Sequence, residues 1–413
     1  MWNSTKNRGD RRRGLVRALA MLLVLLVATL GAYSFGRSQS PAGIGPEDRE
    51  AVALYAEALD TVQDDYVDQE AVDSKKQTYA AIEGMLDSLG DEGHTRFLTP
   101  EEVKENRAGL SGTYVGIGVQ LEDQDGRAVI AAPIEGSPAD QAGIETGDVV
   151  VAVNGKSVRG AELSEIVDRV KGPEGTNVDL TVVRDSKERE FSLQRAEIRS
   201  PVASWEIIPG ADVAQVRLSS FSNDSANELR EALDEARAAG ARRFVLDLRS
   251  NPGGRLDQAV EIAGLFLEPG KVIYIRQDAA GEREKVKVES GSEPIDAPLT
   301  VLVNEGSASS AEILAGALRD NDRATIIGAK TFGTGTVLSQ FTLRDGSALL
   351  LGVSEWLTPD GDFIRETGIE PDLKVKLGKD GDPVTPTEAR DLSRREILDR
   401  DPQLRRALEE LGG

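Results

Sequence analysis

Two short stretches of this 413-residue chain carry residue types suited to nucleophilic catalysis. The first, "EGSASSAEILAGALRD" (305–320), passes from a small flexible run into an apolar helical pattern. Ser309 stands three residues before Glu312, the spacing of a capping box, so a purely structural helix start is one reading. The other is a nucleophile, because a helix N-terminus offers free backbone N–H groups and a positive dipole end to a developing oxyanion. The second stretch, "LRSNPGG" (248–254), is a glycine turn straight after a strand. It is either a tight turn or a second source of such donors. A serine hydroxyl is a poor nucleophile near neutral pH unless a neighbour takes its proton. Three groups are available for that: Lys330 in "GAKTFG", His94, which is the only histidine, and Glu312, one helical turn from Ser309.

The elements that must position these residues follow from the hydrophobic period. After about residue 197, strands such as "FVLDLR" (244–249) and "LTVLVN" alternate with helices such as "LDQAVEIAGLFL" and "AEILAGALRD". That alternation predicts an α/β core over 197–377. Between 109 and 196 the pattern gives short strands around one helix, "AELSEIVDRVKG", in a unit small enough to be a separate inserted domain. Its loop "YVGIG" offers backbone N–H groups that can cradle a carboxylate, and a neighbouring open strand edge can accept an extended peptide. Residues 45–108 read as an N-terminal helical segment. Val52, Tyr55, Leu59, Val62 and Tyr66 recur at helical spacing, as do Tyr79, Ile82, Met85 and Leu89, and Thr99-Pro100 with Glu102 starts a third helix. The charged segment 378–413 reads as a peripheral helical tail.

Composition narrows the function classes. A net charge of −22 argues against nucleic-acid partners, which require a basic footprint. The absence of cysteine excludes disulfides, cysteine catalysis and thiolate metal sites, and a single histidine with no ligand cluster leaves no metal or cofactor expected. A basic tail over 1–17 precedes 19 uncharged residues, 18–36, nearly the length of about 20 that a spanning helix needs. Basic residues on that side keep it cytoplasmic. The run is expected to be an uncleaved single-pass membrane anchor, with a cleaved signal peptide as the alternative; both place the remainder outside the cytoplasm, in the periplasm or the extracellular space.

Several long motifs in order resemble the carboxy-terminal processing peptidases, or tail-specific proteases. They are "HTRFLTPEE" (94–102), "VLDLRSNPGG" (245–254), "VLVNEGSASSAEILAGALRDNDRATIIGAKTFGTGTV" (301–337) and "LTPDGDFIRETGIEPD" (357–372). "YVGIGV" with "GSPADQAGIETGDVVVAVNGKSV" resembles a bacterial PDZ domain. The resemblance implies an exported serine endopeptidase that captures the free C-termini of protein substrates and cuts with a Ser–Lys dyad. It implies Ser309 as nucleophile, with the amides of Ser310 and of Gly253 or Gly254 as the oxyanion hole. Gly116, Ile117 and Gly118 would hold the substrate carboxylate, and Ile166 and Val170 would line the pocket for its last side chain. The family's lysine, 25 residues after the serine, falls on Thr334, and its usual glutamine four residues later falls on Leu338. Threonine cannot act as the base, so the resemblance leaves two expectations: a peptidase with an altered base, or a tail-binding pseudoprotease. Lys330 falls where the family has polar residues without a catalytic role, and His94 falls in a motif expected to be structural and distant from the dyad.

Overall fold

The computed structural model describes residues 45–91, 94–124, 126–134, 136–291, 293–377 and 383–412. The expected basic tail and anchor, 1–36, lie outside the described residues. Among the described residues no helix is long and apolar enough to cross a membrane. The chain divides into two compact units, Met1–Ile82 and Glu83–Gly413.

In the first unit the predicted helix forms over Pro46–Asp65, with proline in its first turn, where a missing N–H costs nothing. Its side chains Val52, Tyr55 and Val62 are exposed, as is Tyr66 just past its end.

The second unit is mixed α/β. Its central sheet has six strands, in the order Ala203–Ile207, Val213–Leu218, Arg243–Asp247, Leu299–Val303, Thr325–Gly328 and Leu373–Lys374. All neighbours after the first pair run parallel. Parallel strands bury both faces, and Leu299–Val303 is accordingly buried at every residue. One face packs on the helices Ser225–Ala238, Leu256–Ala263 and Ser310–Asp320, through side chains such as Leu229, Ile262 and Leu314.

The other face is covered by the C-terminal segment. Ile397, Leu404, Ala407 and Leu408 are fully buried against Val213, Val245, Leu302 and Ile327. The tail is therefore not peripheral. A sheet with two apolar faces needs a second layer, and these apolar residues, spaced along short helices within a charged sequence, supply it. Arg249, buried at the end of its strand, bonds Asp247 at 2.6 Å and reaches into this layer to bond Asp401 at 2.8 Å and Gln403 at 3.1 Å.

A second sheet crosses from the N-terminal side of the unit. Arg96–Leu98 pairs antiparallel with Ala348–Leu350, and the long strand Ala348–Leu357 also pairs Thr336–Thr342 and Val272–Gln277. The inserted domain is a sheet of Val119–Asp123, Ala128–Pro133, Val149–Val153, Asn177–Arg184 and Lys187–Gln194, joined to the rest by the ribbon Thr113–Gly116 with Ala196–Arg199. Its apolar residues, including Ile117, Ile130, Ile166 and Leu180, form a core of their own.

Candidate active site

Ser309 sits where a parallel strand ends and a helix begins, with φ 53° and ψ −116°. A non-glycine residue in this region carries of order 1–3 kcal/mol of strain and persists only where its surroundings fix it. Here they do. The Ser309 N–H donates to Glu312 Oε2 at 2.8 Å and faces Thr334 Oγ1 at 3.1 Å. Glu312, fully buried, is a hub rather than only a helix cap. Its Oε1 accepts from the Thr331 hydroxyl at 2.6 Å and the Gly333 N–H at 2.7 Å, and its Oε2 also accepts from the Thr334 N–H at 3.0 Å. One carboxylate thus clamps the 331–334 loop to the serine turn. Residue 334, 25 positions away in sequence, is held against Ser309.

The glycine turn lies on the other side. Asn251, fully buried, donates to the Leu218 carbonyl at 2.8 Å and accepts from the Gly253 N–H at 2.9 Å. Gly253 is at φ 90°, and a Cβ on it would lie 2.8 Å from Ser309 Cβ and 2.9 Å from the Ser310 nitrogen. Only glycine permits that approach. The Gly253 amide is committed to Asn251. The amides of Gly254 and Ser310 have no acceptor among the described residues, while the Ser310 hydroxyl donates to the Gly254 carbonyl at 3.1 Å. Two uncommitted amides beside a strained serine at a helix N-terminus are an arrangement able to stabilise an oxyanion. The sequence left Gly253 and Gly254 equal; Asn251, whose side chain separates them, gave no sign of this role.

Ser309, Ser310, Gly254 and Thr334 line a cleft of about 570 Å³. Its apolar wall includes Leu256, Ile313, Phe332, Val337 and Leu338, and its polar groups include His94, Arg96, Asn106, Arg255 and Asp257. Lys330 is exposed and lies beside Glu370, away from the cleft lining. His94, expected to be distant, is in the cleft. The pairing of Arg96–Leu98 with Ala348–Leu350 carries it there across some 250 residues of sequence. Its Nδ1 lies 3.6 Å from Asp91 Oδ1, and its ring meets Phe332 edge-on at 5.5 Å. Burial raises the Asp91 carboxyl pKa, but the Thr95 hydrogen bond and the charges of Arg365 and His94 outweigh it and hold the carboxyl below the ordinary value. The Ser309 hydroxyl makes no hydrogen bond to a lysine, histidine or carboxylate among the described residues. No group of residues there could hold a metal ion.

The inserted domain carries a second, smaller groove of about 50 Å³, lined by Tyr114, Gly116, Ile117, Gly118, Val119, Leu121, Val167, Val170 and Lys171. Val119–Asp123 is an edge strand, open on the side away from Ala128–Pro133. Of the two pocket residues expected on the helix Leu163–Val170, Val170 lines the groove. Ile166, 2% exposed, points into the domain core, and Val167 takes its place. Both lie on the broad apolar side of one short helix, and only packing separates core from groove.

A profile of Peptidase family S41 matches residues 212–375, and a PDZ-domain profile matches 129–184. A probable CtpA-like serine protease of Staphylococcus aureus is 36% identical over 380 residues, covering 91% of this chain and 75% of that protein. Its counterpart in Staphylococcus haemolyticus is 36% identical over 362 residues, covering 86% and 72%. Among solved structures, a photosystem II D1 C-terminal processing protease aligns at 30% identity and a TM-score of 0.46, covering 78% of this chain and 92% of that one.

Proposed function

Because the chain belongs to peptidase family S41 and has a PDZ domain, we propose that it is an exported, membrane-anchored serine endopeptidase that captures the C-termini of protein substrates and processes or degrades them. Ser309 is the nucleophile, and the Gly254 and Ser310 amides receive the oxyanion. The carrying observation is the strained Ser309 turn, fixed between the Glu312 clamp and the Gly253 approach with two free amides beside it. The PDZ groove, a glycine loop beside an open strand edge, supports tail capture by strand addition. The uncharged run 18–36 after a basic tail supports the anchor and export.

One observation favours a second reading. Thr334 occupies the lysine position of the resembling family and bonds the Ser309 amide instead of its hydroxyl, as a tail-binding pseudoprotease would allow. A serine-directed fluorophosphonate separates the two. The peptidase reading requires covalent labelling of the intact chain that disappears in Ser309→Ala. Absence of labelling, with tail peptides bound and left uncut, establishes the scaffold instead.

A further inference from the structure

We propose that His94, oriented by Asp91, is the base that takes the Ser309 proton. The inference rests on the peptidase reading above and supplies the group that Thr334 does not.

Four observations meet at this imidazole. It lines the same cleft as Ser309 and Thr334. It is 8% exposed, and its Nε2 is buried with no hydrogen-bond partner among the described residues. Its other nitrogen faces a carboxylate that is itself fixed from two further sides. Thr95 donates to Asp91 Oδ2 at 2.6 Å, and Arg365 donates to Oδ1 at 2.9 Å. The Thr95 hydroxyl also accepts the Gly352 N–H at 3.1 Å, which ties the assembly to the second sheet. Finally, Phe332, which touches the ring, belongs to the loop that Glu312 clamps to Ser309, and its N–H donates to the Ser307 carbonyl at 3.0 Å.

A purely structural histidine with a buried, unpaired nitrogen leaves a desolvation cost uncompensated. A base needs that arrangement: Nδ1–H directed at a carboxylate fixes the tautomer and leaves Nε2 as a free acceptor. The 3.6 Å contact to Asp91 is longer than a hydrogen bond, and His94 and Ser309 are not bonded here. Catalytic pairs commonly tighten only when substrate is bound, or act through one water. The side chain that can yield is Phe332, 53% exposed at the cleft.

The chemistry balances. As Ser309 Oγ forms its bond to the scissile carbonyl carbon, its proton passes to His94 Nε2. The C–N bond then breaks as that proton moves to the leaving nitrogen, giving a new amine and an acyl-serine. Water repeats the sequence: its proton goes to His94 and returns to Ser309 Oγ, and the carboxyl product leaves. Asp91 stays ionised and stabilises the transient imidazolium.

The test uses the intact chain, fluorophosphonate labelling and peptide cleavage across pH 5 to 9, with circular dichroism to verify folding. The wild type should lose activity towards acid, because a base must be unprotonated to accept the Ser309 proton. The charged groups facing the site are Asp91, Arg96, Arg255, Asp257 and Arg365. His94→Gln should lower both rates about 10²–10⁴-fold and remove the limb. Asp91→Asn should keep a limb but move it to lower pH, because the carboxylate no longer favours the imidazolium. In His94→Gln, adding Thr334→Lys should restore cleavage with a limb displaced to higher pH. Folded His94→Gln protein that labels at the wild-type rate with the same pH profile would overturn the assignment while leaving Ser309 as nucleophile. Should His94→Gln not fold, an unmoved limb in Asp91→Asn does the same. A wild type that does not label overturns the peptidase reading and this inference with it.

Discussion

Glu312 has four hydrogen-bond donors and no ion-pair partner among the described residues. An isolated buried charge is costly, but three backbone amides and a hydroxyl supply the compensation that water otherwise gives. The consequence is geometric: the Ser309 turn and the 331–334 loop are both held by one side chain. Glu312→Gln places an amide N–H₂ where donors already point, so at least one buried N–H loses its acceptor. The expected cost is about 1–3 kcal/mol, read as a lower urea midpoint with unchanged slope. Peptide cleavage should fall by about tenfold or more, since small displacements of a reacting group are expensive. A Glu312→Gln protein with wild-type midpoint and wild-type cleavage contradicts the clamp.

At the scale of elements, the PDZ groove is an edge strand, a glycine loop and one helix face. Charge-assisted hydrogen bonds from loop amides to a terminal carboxylate contribute roughly 1.5–3 kcal/mol. Amidating a peptide with an apolar C-terminal residue should therefore weaken binding about tenfold or more, measured by fluorescence anisotropy; equal affinities exclude carboxylate capture. The choice of groove variant matters. Gly118, at φ 79°, is a poor probe, because a Cβ there would lie 2.2 Å from Ser137 Cβ and would disrupt the loop itself. Val167, half-buried on the groove side of the helix, is the better one. Val167→Glu places a carboxylate against the incoming tail and should abolish binding without lowering the melting temperature of the chain.

The whole second unit depends on a fully buried ion network that joins the C-terminal layer to the strand leading into the Asn251–Gly254 turn. Arg249 lies between Asp247 and Asp401, and Gln215 bonds both Asp247 and the Val384 carbonyl at 2.8 Å. Removing one member strands a buried charge, so Asp401→Ala should destabilise by about 3–5 kcal/mol and impair cleavage although it lies far along the chain from Ser309. Loss of neither stability nor cleavage in that variant would show the C-terminal layer to be dispensable. Burial pushes the Asp247 carboxyl up, but the Arg249 charge and hydrogen bonds prevail and lower it. A lowered folded-state pKa contributes stability that is complete above the ordinary carboxylate value of about 3.9 and is lost as pH falls through the lower folded value. Asp247 should therefore contribute no slope to the melting temperature between pH 8 and 5, but a steep loss below about pH 4 that is shallower in Asp247→Asn. The proposed anchor is tested at this scale too: if residues 18–36 span the membrane as proposed, a reporter fused after Ser40 should be active only if it functions outside the cytoplasm.

The α/β alternation, the inserted PDZ unit, the helix starts at Thr99 and Ser309 and the glycine turn at 253–254 were all legible in the sequence. Each is specified locally, by a period of two or 3.6 or by turn and cap chemistry within a few residues. Tertiary structure decided the rest. Asn251 occupies the Gly253 amide and leaves Gly254 free; that depends on a side chain folding back toward Leu218. Ile166 and Val167 share one apolar side of a short helix, and their division between core and groove is set by the sheet they pack on. The C-terminal helices, charged in sequence, are drawn into the core because the parallel sheet has a second apolar face to cover. His94 enters the Ser309 cleft through a strand pairing spanning some 250 residues, and no local pattern encodes which distant edge a three-residue strand will join.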